Sequence, residues 1–553
     1  MAYRKRVHET PRLLVADAYT IGSNLFQSDE AKDKSTYYIT FRRELYKINP
    51  TLYKQGDNRI VFVGLQRIID RLFSKPITHQ EIDETKEFLK NAKVTSKGFK
   101  NYNFPEQLWR EVVDKYNGYP PIQILAMPEG SIVYPNEPVI QIRSLVEGFG
   151  ELAAWFESKL LQVYGATERA TQDRHWFLRL MDMVRMVDPT LDDKMVMFYA
   201  SIMLTDFGDR AGLCAMESED LGTTALYTFG GTDTFCGAYQ AWKNGATEPG
   251  FFSSVLALAH RNVQAFEFEG DCYTHFYESV EDGEFLSMVA DCYDFFYAVE
   301  HYLLPLALRS VRENNGKVIV GRPDSGDPKA QVLWLCRLAV KHGLYTTQVI
   351  NGKEWKFATT LRFIEGDGMD YETMWDIMMA LIEEGFAPYG WGLFGMGGGQ
   401  RNDLKRDNLS AKYALCARGL TDIPVVKFSE TYGKTTLPGP FKVLRSKEAL
   451  EACKTIVFEK EAGINAMIEF FNGLKAIDKQ INDPFGVGME DDFPVIKNRM
   501  DDQFTFMPKT LHTETNHGYP ASDEMIETRR QLLKKYAPKI GRASCRERVY
   551  VLV

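Results

Sequence analysis

Cysteine is sparse, and none of the eight, at 214, 236, 272, 292, 336, 416, 453 and 545, stands in C-x-x-C spacing. This argues against a structural zinc site or a disulfide framework and fits a reduced compartment. Long apolar runs are missing as well: nothing approaches the ~20 apolar residues that a membrane helix needs. The basic start at Arg4, Lys5 and Arg6 leads only to a short apolar run, Leu13 to Ala16, and then Asp17, too little for the core of a signal peptide. Basic charge is also in deficit. With 66 basic residues against 75 acidic and a formal charge of -9, nothing draws the chain to nucleic acid or an anionic membrane. A cytoplasmic protein acting on small ligands is expected.

What is present is a globular composition, 44% hydrophobic and 25% charged over 553 residues, enough for two or more domains or one large barrel with additions. The most informative stretch is Lys317 to Pro328. Val318, Ile319 and Val320 predict a buried strand that stops abruptly at Gly321-Arg322-Pro323-Asp324-Ser325-Gly326-Asp327, where an arginine and acids crowd against a stiff proline and a permissive glycine. From about position 195 the same plan recurs, an apolar run ending in a Gly- and Asp-bearing loop before an amphipathic helix. The other loops are Asp206 to Arg210, Gly230 to Thr234, the surroundings of His260 after the run Val255 to Ala259, Glu365 to Gly368, and Gly395 to Gly399. Strands alternating with helices imply a parallel sheet. In a barrel or a doubly wound sheet alike, such loops lie at the carboxyl ends of the strands, where ligands bind.

The earlier part of the chain mixes strands and helices. Tyr37 to Phe41 predicts a strand. Thr78-His79-Gln80-Glu81 has capping-box spacing ahead of a helix through about Lys90. Pro128-Glu129-Gly130 predicts a turn between the runs Ile122 to Met127 and Ile132 to Tyr134. Leu152, Trp155, Phe156, Leu160 and Val163 fall at helical spacing, with Gly165 as the expected terminator. Beyond about Asp407 come a Lys-, Gly- and Pro-rich passage, a helix from Lys447 to about Cys453, and a last helix over Asp523 to Lys535. The final segment 541–553 matches nothing before it and is set aside as a non-native tail.

Gly230-Gly231-Thr232-Asp233-Thr234, His260, Gly321 to Pro328, Gly366-Asp367-Gly368 and Gly397 to Gly399, in this order, resemble the nicotinamide phosphoribosyltransferases, members of the type II phosphoribosyltransferase family. Gly64-Leu65-Gln66 and Ala126 to Gly130 extend the likeness, which covers roughly positions 12 to 440. The resemblance implies an irregular, TIM-like α/β barrel packed on a mixed, β-rich α+β domain. The expected division is 1–190 for the first part of the β-rich domain, 191–406 for the barrel, and 407–540 for the chain's return to the first domain.

The implied reaction moves a phosphoribosyl group from phosphoribosyl pyrophosphate to the ring nitrogen of nicotinamide. The anomeric carbon becomes oxocarbenium-like as pyrophosphate leaves, so the site needs carboxylates for the ribose hydroxyls, a metal on the leaving group and donors for the 5-phosphate. By resemblance, Asp324 and Asp367 accept from the ribose hydroxyls, and Gly366, Gly397 and Gly398 present backbone N–H groups to phosphate. Phe207 and a Tyr19 from a second subunit hold the base between aromatic faces, Arg322 lies near the amide oxygen, and Asp233 accepts from the amide N–H and repels nicotinate. His260 is phosphorylated by ATP, with Asp291 orienting its ring. Asp291 and Asp324 are the residues nearest to Mg2+. Arg43, Arg210, Arg362 and Arg406 match phosphate contacts, some across a homodimer interface with shared sites.

Two departures stand out. The family usually has Glu directly before the histidine, where this chain has Ala259, and Ser and Lys around the tyrosine, where this chain reads Asp17-Ala18-Tyr19-Thr20. The alternatives to nicotinamide phosphoribosyl transfer are nicotinate phosphoribosyl transfer and a catalytically silent, nucleotide-binding regulator.

Overall fold

The computed structural model describes residues 8–23, 26–91, 104–401, 404–429, 435–511 and 519–536; the tail expected at 541–553 lies outside the described residues. The chain divides into two compact units. One takes in the chain up to Ile48, Gln55–Glu168 and the chain from Lys405 onward; the other takes in Asn49–Lys54 and Arg169–Leu404.

The first unit is built on a six-stranded antiparallel sheet, in which Ser35–Thr40 pairs with Lys412–Arg418 on one side and Pro138–Ser144 on the other. Ile122–Ala126 and Ile468–Asn472 extend it. The strand expected at Tyr37 to Phe41 thus forms, and its partners come from both halves of the chain. The capping box at Thr78 also forms: its side chain accepts from the Glu81 N–H, the Glu81 carboxylate accepts from the Thr78 N–H, and the helix His79–Leu89 follows. Pro128 to Gly130 does turn the chain, but Ser131–Val133 pairs with Ile60–Phe62 in a separate two-stranded sheet rather than folding back on Ile122–Ala126. The Glu129 carboxylate in that turn accepts from the Gln66 N–H at 2.6 Å. Two segments far apart in sequence, both part of the resemblance, therefore meet.

One expectation fails here. The helical spacing from Leu152 to Val163 resolves into the short helices Leu152–Trp155 and Glu157–Leu160, and the long helix Val163–Val187 then runs straight through Gly165. Gly165 lies in that helix's first turn with its N–H on Gln162 O at 3.1 Å and without the left-handed backbone by which a glycine ends a helix, so it does not terminate it.

The second unit carries seven parallel strands in the order Gly231–Thr232, Leu204–Asp206, Gly392–Met396, Leu361–Glu365, Val318–Arg322, Phe285–Val289, Leu256–Ala257. A parallel bridge between Ser253 and Gly231 ties the segment before the last strand to the first strand, so the sheet curls into an irregular barrel. Val318, Val320 and Ile364 cluster on the inward face with Phe207, Val255 and Leu393. Gly321, on the opposite face of its strand, packs against Leu335, Leu303 and Val299 of the flanking helices. Burying each of Val318, Ile319 and Val320 contributes at most ~1.5–3 kcal/mol, which explains why so short a run forms a strand. The run Val255 to Ala259 is less regular than expected: only Leu256–Ala257 is strand, and both residues are exposed.

Candidate active site at the carboxyl ends of the parallel strands

Because all seven strands point the same way, their polar loops gather on one edge of the barrel. The loop after Val318–Arg322 sorts its own acids. Asp327 accepts from the Ala330 N–H at 3.1 Å and caps the helix Pro328–Lys341, whose first residue is a proline. Asp324 is left to face the ligand edge.

His260, which opens the short helix His260–Val263, joins three loops. Its Nε2 lies 3.0 Å from Asp291 Oδ1 and its Nδ1 3.8 Å from Asp324 Oδ2. The Ser325 hydroxyl donates to Asp291 Oδ2 at 2.6 Å. Both Asp291 oxygens thereby have partners, which fixes the carboxylate and through it the imidazole ring. Asp367 belongs to the same neighbourhood: burial first, then the charges of Asp324 and Asp291, push its carboxyl above the ordinary range. Behind it, Glu365 is almost fully buried; its Oε1 accepts from the Asp367 N–H at 3.1 Å and its Oε2 has no partner. Burial, with help from Asp367 and Asp324, raises the Glu365 carboxyl to about 8, so it is largely protonated at neutral pH.

On the other flank, Phe207 follows the strand Leu204–Asp206 and its N–H donates to Met396 O at 3.0 Å. Its ring covers two glycines: a Cβ on Gly395 would lie 1.9 Å from the ring, which excludes a side chain there, and one on Gly366 would lie 3.1 Å from it, a tight contact. Asp233 is next to it, with its N–H on Asp206 O at 2.9 Å and its carboxylate accepting from the Ser254 hydroxyl. The Gly397 backbone abuts the Phe207 carbonyl, and Gly398 opens the helix Gly398–Arg401. Arg322 ends its strand and donates to Leu258 O at 3.3 Å, leaving its buried Nε without an acceptor. Arg210 is exposed in the turn Asp209–Ala211.

Arg362 is the second residue of its strand, level with Val320, and its guanidinium lies 5.5 Å over the Phe285 ring, where burial lowers its pKa. Tyr19, Arg43 and Arg406 belong to the first unit. Tyr19 is exposed; Arg43 donates to the carbonyls of Asp407 and Lys47, and Arg406 pairs with Asp407 at 3.1 Å. Ser325 and Glu365 were read only as parts of their loops, and Ser254 was not singled out, since each matters only through a partner brought to it by the fold.

Comparison with known proteins bears on the family and the fold. Residues 202–452 match the nicotinate phosphoribosyltransferase (NAPRTase) family and residues 12–124 match the nicotinamide phosphoribosyltransferase N-terminal domain. A nicotinamide phosphoribosyltransferase of Xanthomonas campestris pv. campestris (strain 8004) is 30% identical over 446 residues, 79% of this chain and 88% of that protein. Human nicotinic acid phosphoribosyltransferase shares the fold with a TM-score of 0.54 at 13% identity, over 95% of this chain and 100% of that one. A nicotinate-nucleotide pyrophosphorylase from Pyrococcus furiosus does so at 0.51 and 15% identity, over 91% and 98%. Fold and sequence define a phosphoribosyltransferase, an enzyme of the pentosyltransferase class. Within that class the chain belongs to the nicotinamide phosphoribosyltransferase family.

Proposed function

We propose that the protein makes nicotinamide mononucleotide and pyrophosphate from nicotinamide and phosphoribosyl pyrophosphate in NAD salvage, stimulated by ATP through a phosphohistidine. The observation that carries the choice of base is the pairing of Phe207 with Asp233 on neighbouring strand ends, bound backbone to backbone through Asp206 and Met396. A flat amide resting on the Phe207 ring presents its N–H to a carboxylate, whereas nicotinate would bring a second negative charge there. The Ser254 hydroxyl occupies one Asp233 oxygen and leaves the other for the amide. Arg322 serves the amide oxygen, and Tyr19 of a second copy covers the other face of the ring.

In this reading Asp324 and Asp367 accept from the ribose hydroxyls and stabilise positive charge at the anomeric carbon as its bond to pyrophosphate breaks and its bond to the ring nitrogen forms. Backbone N–H groups at Gly366, Gly397 and Gly398, with Arg210, Arg362, Arg406 and Arg43, serve the phosphates. Among the described residues no group of three or more His, Cys, Asp or Glu could hold a metal by itself. The carboxylates of Asp291 and Asp324 would hold Mg2+, which would neutralise charge on the leaving group. Asp291 accepts from His260 Nε2–H, which leaves Nδ1 as the nitrogen that attacks the terminal phosphorus of ATP; the N–P bond forms, the bridging P–O bond breaks, and ADP departs with its electrons.

A homodimer is supported by apolar side chains left exposed on the helix pair Ala215–Ala225 and Phe235–Lys243 and the turn before it: Leu213, Met216, Phe235, Tyr239 and Trp242. The seven free cysteines among the described residues support a cytoplasmic setting, and no helix among those residues is long and apolar enough to cross a membrane.

Mononucleotide formation from nicotinamide and from nicotinate, each with and without ATP, tests the proposal. Nicotinamide is expected to be the preferred base, ATP to accelerate its use, and Asp233→Asn to gain nicotinate use. A wild-type preference for nicotinate would overturn the choice of base, product formation indifferent to ATP would remove His260 phosphorylation, and no product in any condition would make the chain a silent homologue.

A further inference from the structure

A charged network lies buried beneath the loop that carries Phe207. Arg169, Asp173, Asp206, Gln400 and Arg401 are each at most 5% exposed. Arg169 meets Asp173 at 2.7 Å and Asp206 at 3.4 Å, and Gln400 donates to Asp173 at 3.0 Å. Arg401 is the member without a settled partner. Its Nη2 stays 3.7 Å from Asp206 Oδ2 and its Nη1 3.5 Å from Ser218 Oγ, while Nε and Nη2 have no hydrogen-bond acceptor. Burial lowers the guanidinium pKa, as expected for an under-served buried cation. For core packing alone an aliphatic side chain would do better.

The position of the guanidinium accounts for its presence. It lies directly across the backbone of the loop after Leu204–Asp206: a Cβ on Gly208 would sit 2.1 Å from Arg401 Nε, and one on Gly212 would sit 3.2 Å from Nη1. The same arginine ends the helix that Gly398 opens, and a Cβ on Gly397 would fall 2.8 Å from Phe207 O. The carbonyl of Asp206 receives the Asp233 N–H. One side chain thus braces the loop bearing Phe207 and Arg210, the glycine turn 397–398, and the residue on which Asp233 hangs.

We propose that Arg401 is a positioning residue: its buried guanidinium clamps the Phe207–Gly212 loop against the Gly397–Arg401 turn and so holds the aromatic shelf for the pyridine base. This rests on the reading that Phe207 receives the base. With two glycines, the loop has little stiffness of its own, and loss of the clamp lets the Phe207 ring move away from Gly395 and Gly366. The base contact loosens, while Asp324 and Asp367, on other strands, keep their arrangement.

The test compares the full-length wild type with Arg401→Met and Arg401→Lys, measuring kcat and KM for nicotinamide and for nicotinate alongside the thermal midpoint. In Arg401→Met, KM for the base that the wild type prefers is expected to rise ~10-fold, with kcat within ~3-fold, the pattern of lost ground-state positioning. Arg401→Lys, which keeps the charge and most of the length, is expected to recover part of that loss. An unchanged base KM in a folded Met variant would overturn the proposal. So would losses of kcat and KM that are equal in both variants and follow a fallen thermal midpoint, because they would mark Arg401 as merely structural. If the Met variant does not fold, the Lys variant decides by the same comparison. A wild type that prefers nicotinate would defeat the choice of base alone, and the clamp would then be judged on the nicotinate KM.

Discussion

Glu137 in the antiparallel unit and Asp206 in the barrel are both almost wholly buried beside arginine, yet their oxygens are served very differently. Glu137 takes Arg445 in a two-pronged grip at 2.8 and 2.9 Å, the Thr455 hydroxyl, and the Tyr134 N–H at 3.1 Å. Asp206 has one long bond from Arg169, and its Oδ2 has no hydrogen-bond partner. A saturated buried carboxylate locks its surroundings and costs the fold little, whereas an under-served one is a standing expense. The barrel tolerates this beside Phe207, Asp233 and Gly397, the residues to which the proposed function assigns the base and the phosphates. In the antiparallel sheet strand ends alternate between two edges, and the Glu137 carboxylate is closed on Arg445, Thr455 and Tyr134.

The sharpest way to test this contrast is at the rim. On the proposed function, in which the Asp324 carboxylate serves charge that develops in the reaction, Asp324→Asn is expected to lower kcat/KM by ~10²-fold or more while the thermal midpoint stays put. A large loss of stability instead would erase the distinction between the two regions. Next in size is Glu137→Ala, which strands the Arg445 guanidinium and should cost ~3–5 kcal/mol in urea unfolding, with KM unchanged in the folded fraction. A stable variant with altered KM would invert the comparison.

The third effect, spread over pH, belongs to Glu365. Its carboxyl is raised in the folded state from an ordinary 4.5 to about 8, so between those values the folded chain holds a proton that the unfolded chain has released. Wild-type stability therefore falls as pH rises through that window and levels off above about 8. Glu365→Gln keeps the acceptor for the Asp367 N–H and removes the titration. Its thermal midpoint relative to wild type is expected to climb from pH ~5 to ~8 and then flatten; a constant offset across that range would mean that Glu365 is ionised throughout.

Much of the barrel was legible in the sequence because a buried strand that ends in Gly, Asp and Pro announces both its period and its stop. Val318 to Asp324 is the plainest case; the pairing of His260 with Asp291 was implied only by the family resemblance, and the structure sets the two 3.0 Å apart. The Thr78 cap was equally plain, being a contact over three residues. Gly165 misled because a glycine's meaning depends on which helical turn it occupies. Ser325 reaches Asp291 across 34 residues and Ser254 reaches Asp233 across 21, distances at which a lone serine carries no local signal. Arg401, two residues past a run of glycines, carries no local sign of its burial.

By itself, then, the chain determined which strands form and which acids, glycines and aromatic residues stand at their ends, because those follow from local period, propensity and steric permission. Only the tertiary structure decided that these ends face one another and that a buried arginine lies under one of them. Register in a parallel sheet is set by pairing between distant segments, and the cost of an unmet guanidinium exists only once water has been excluded around it.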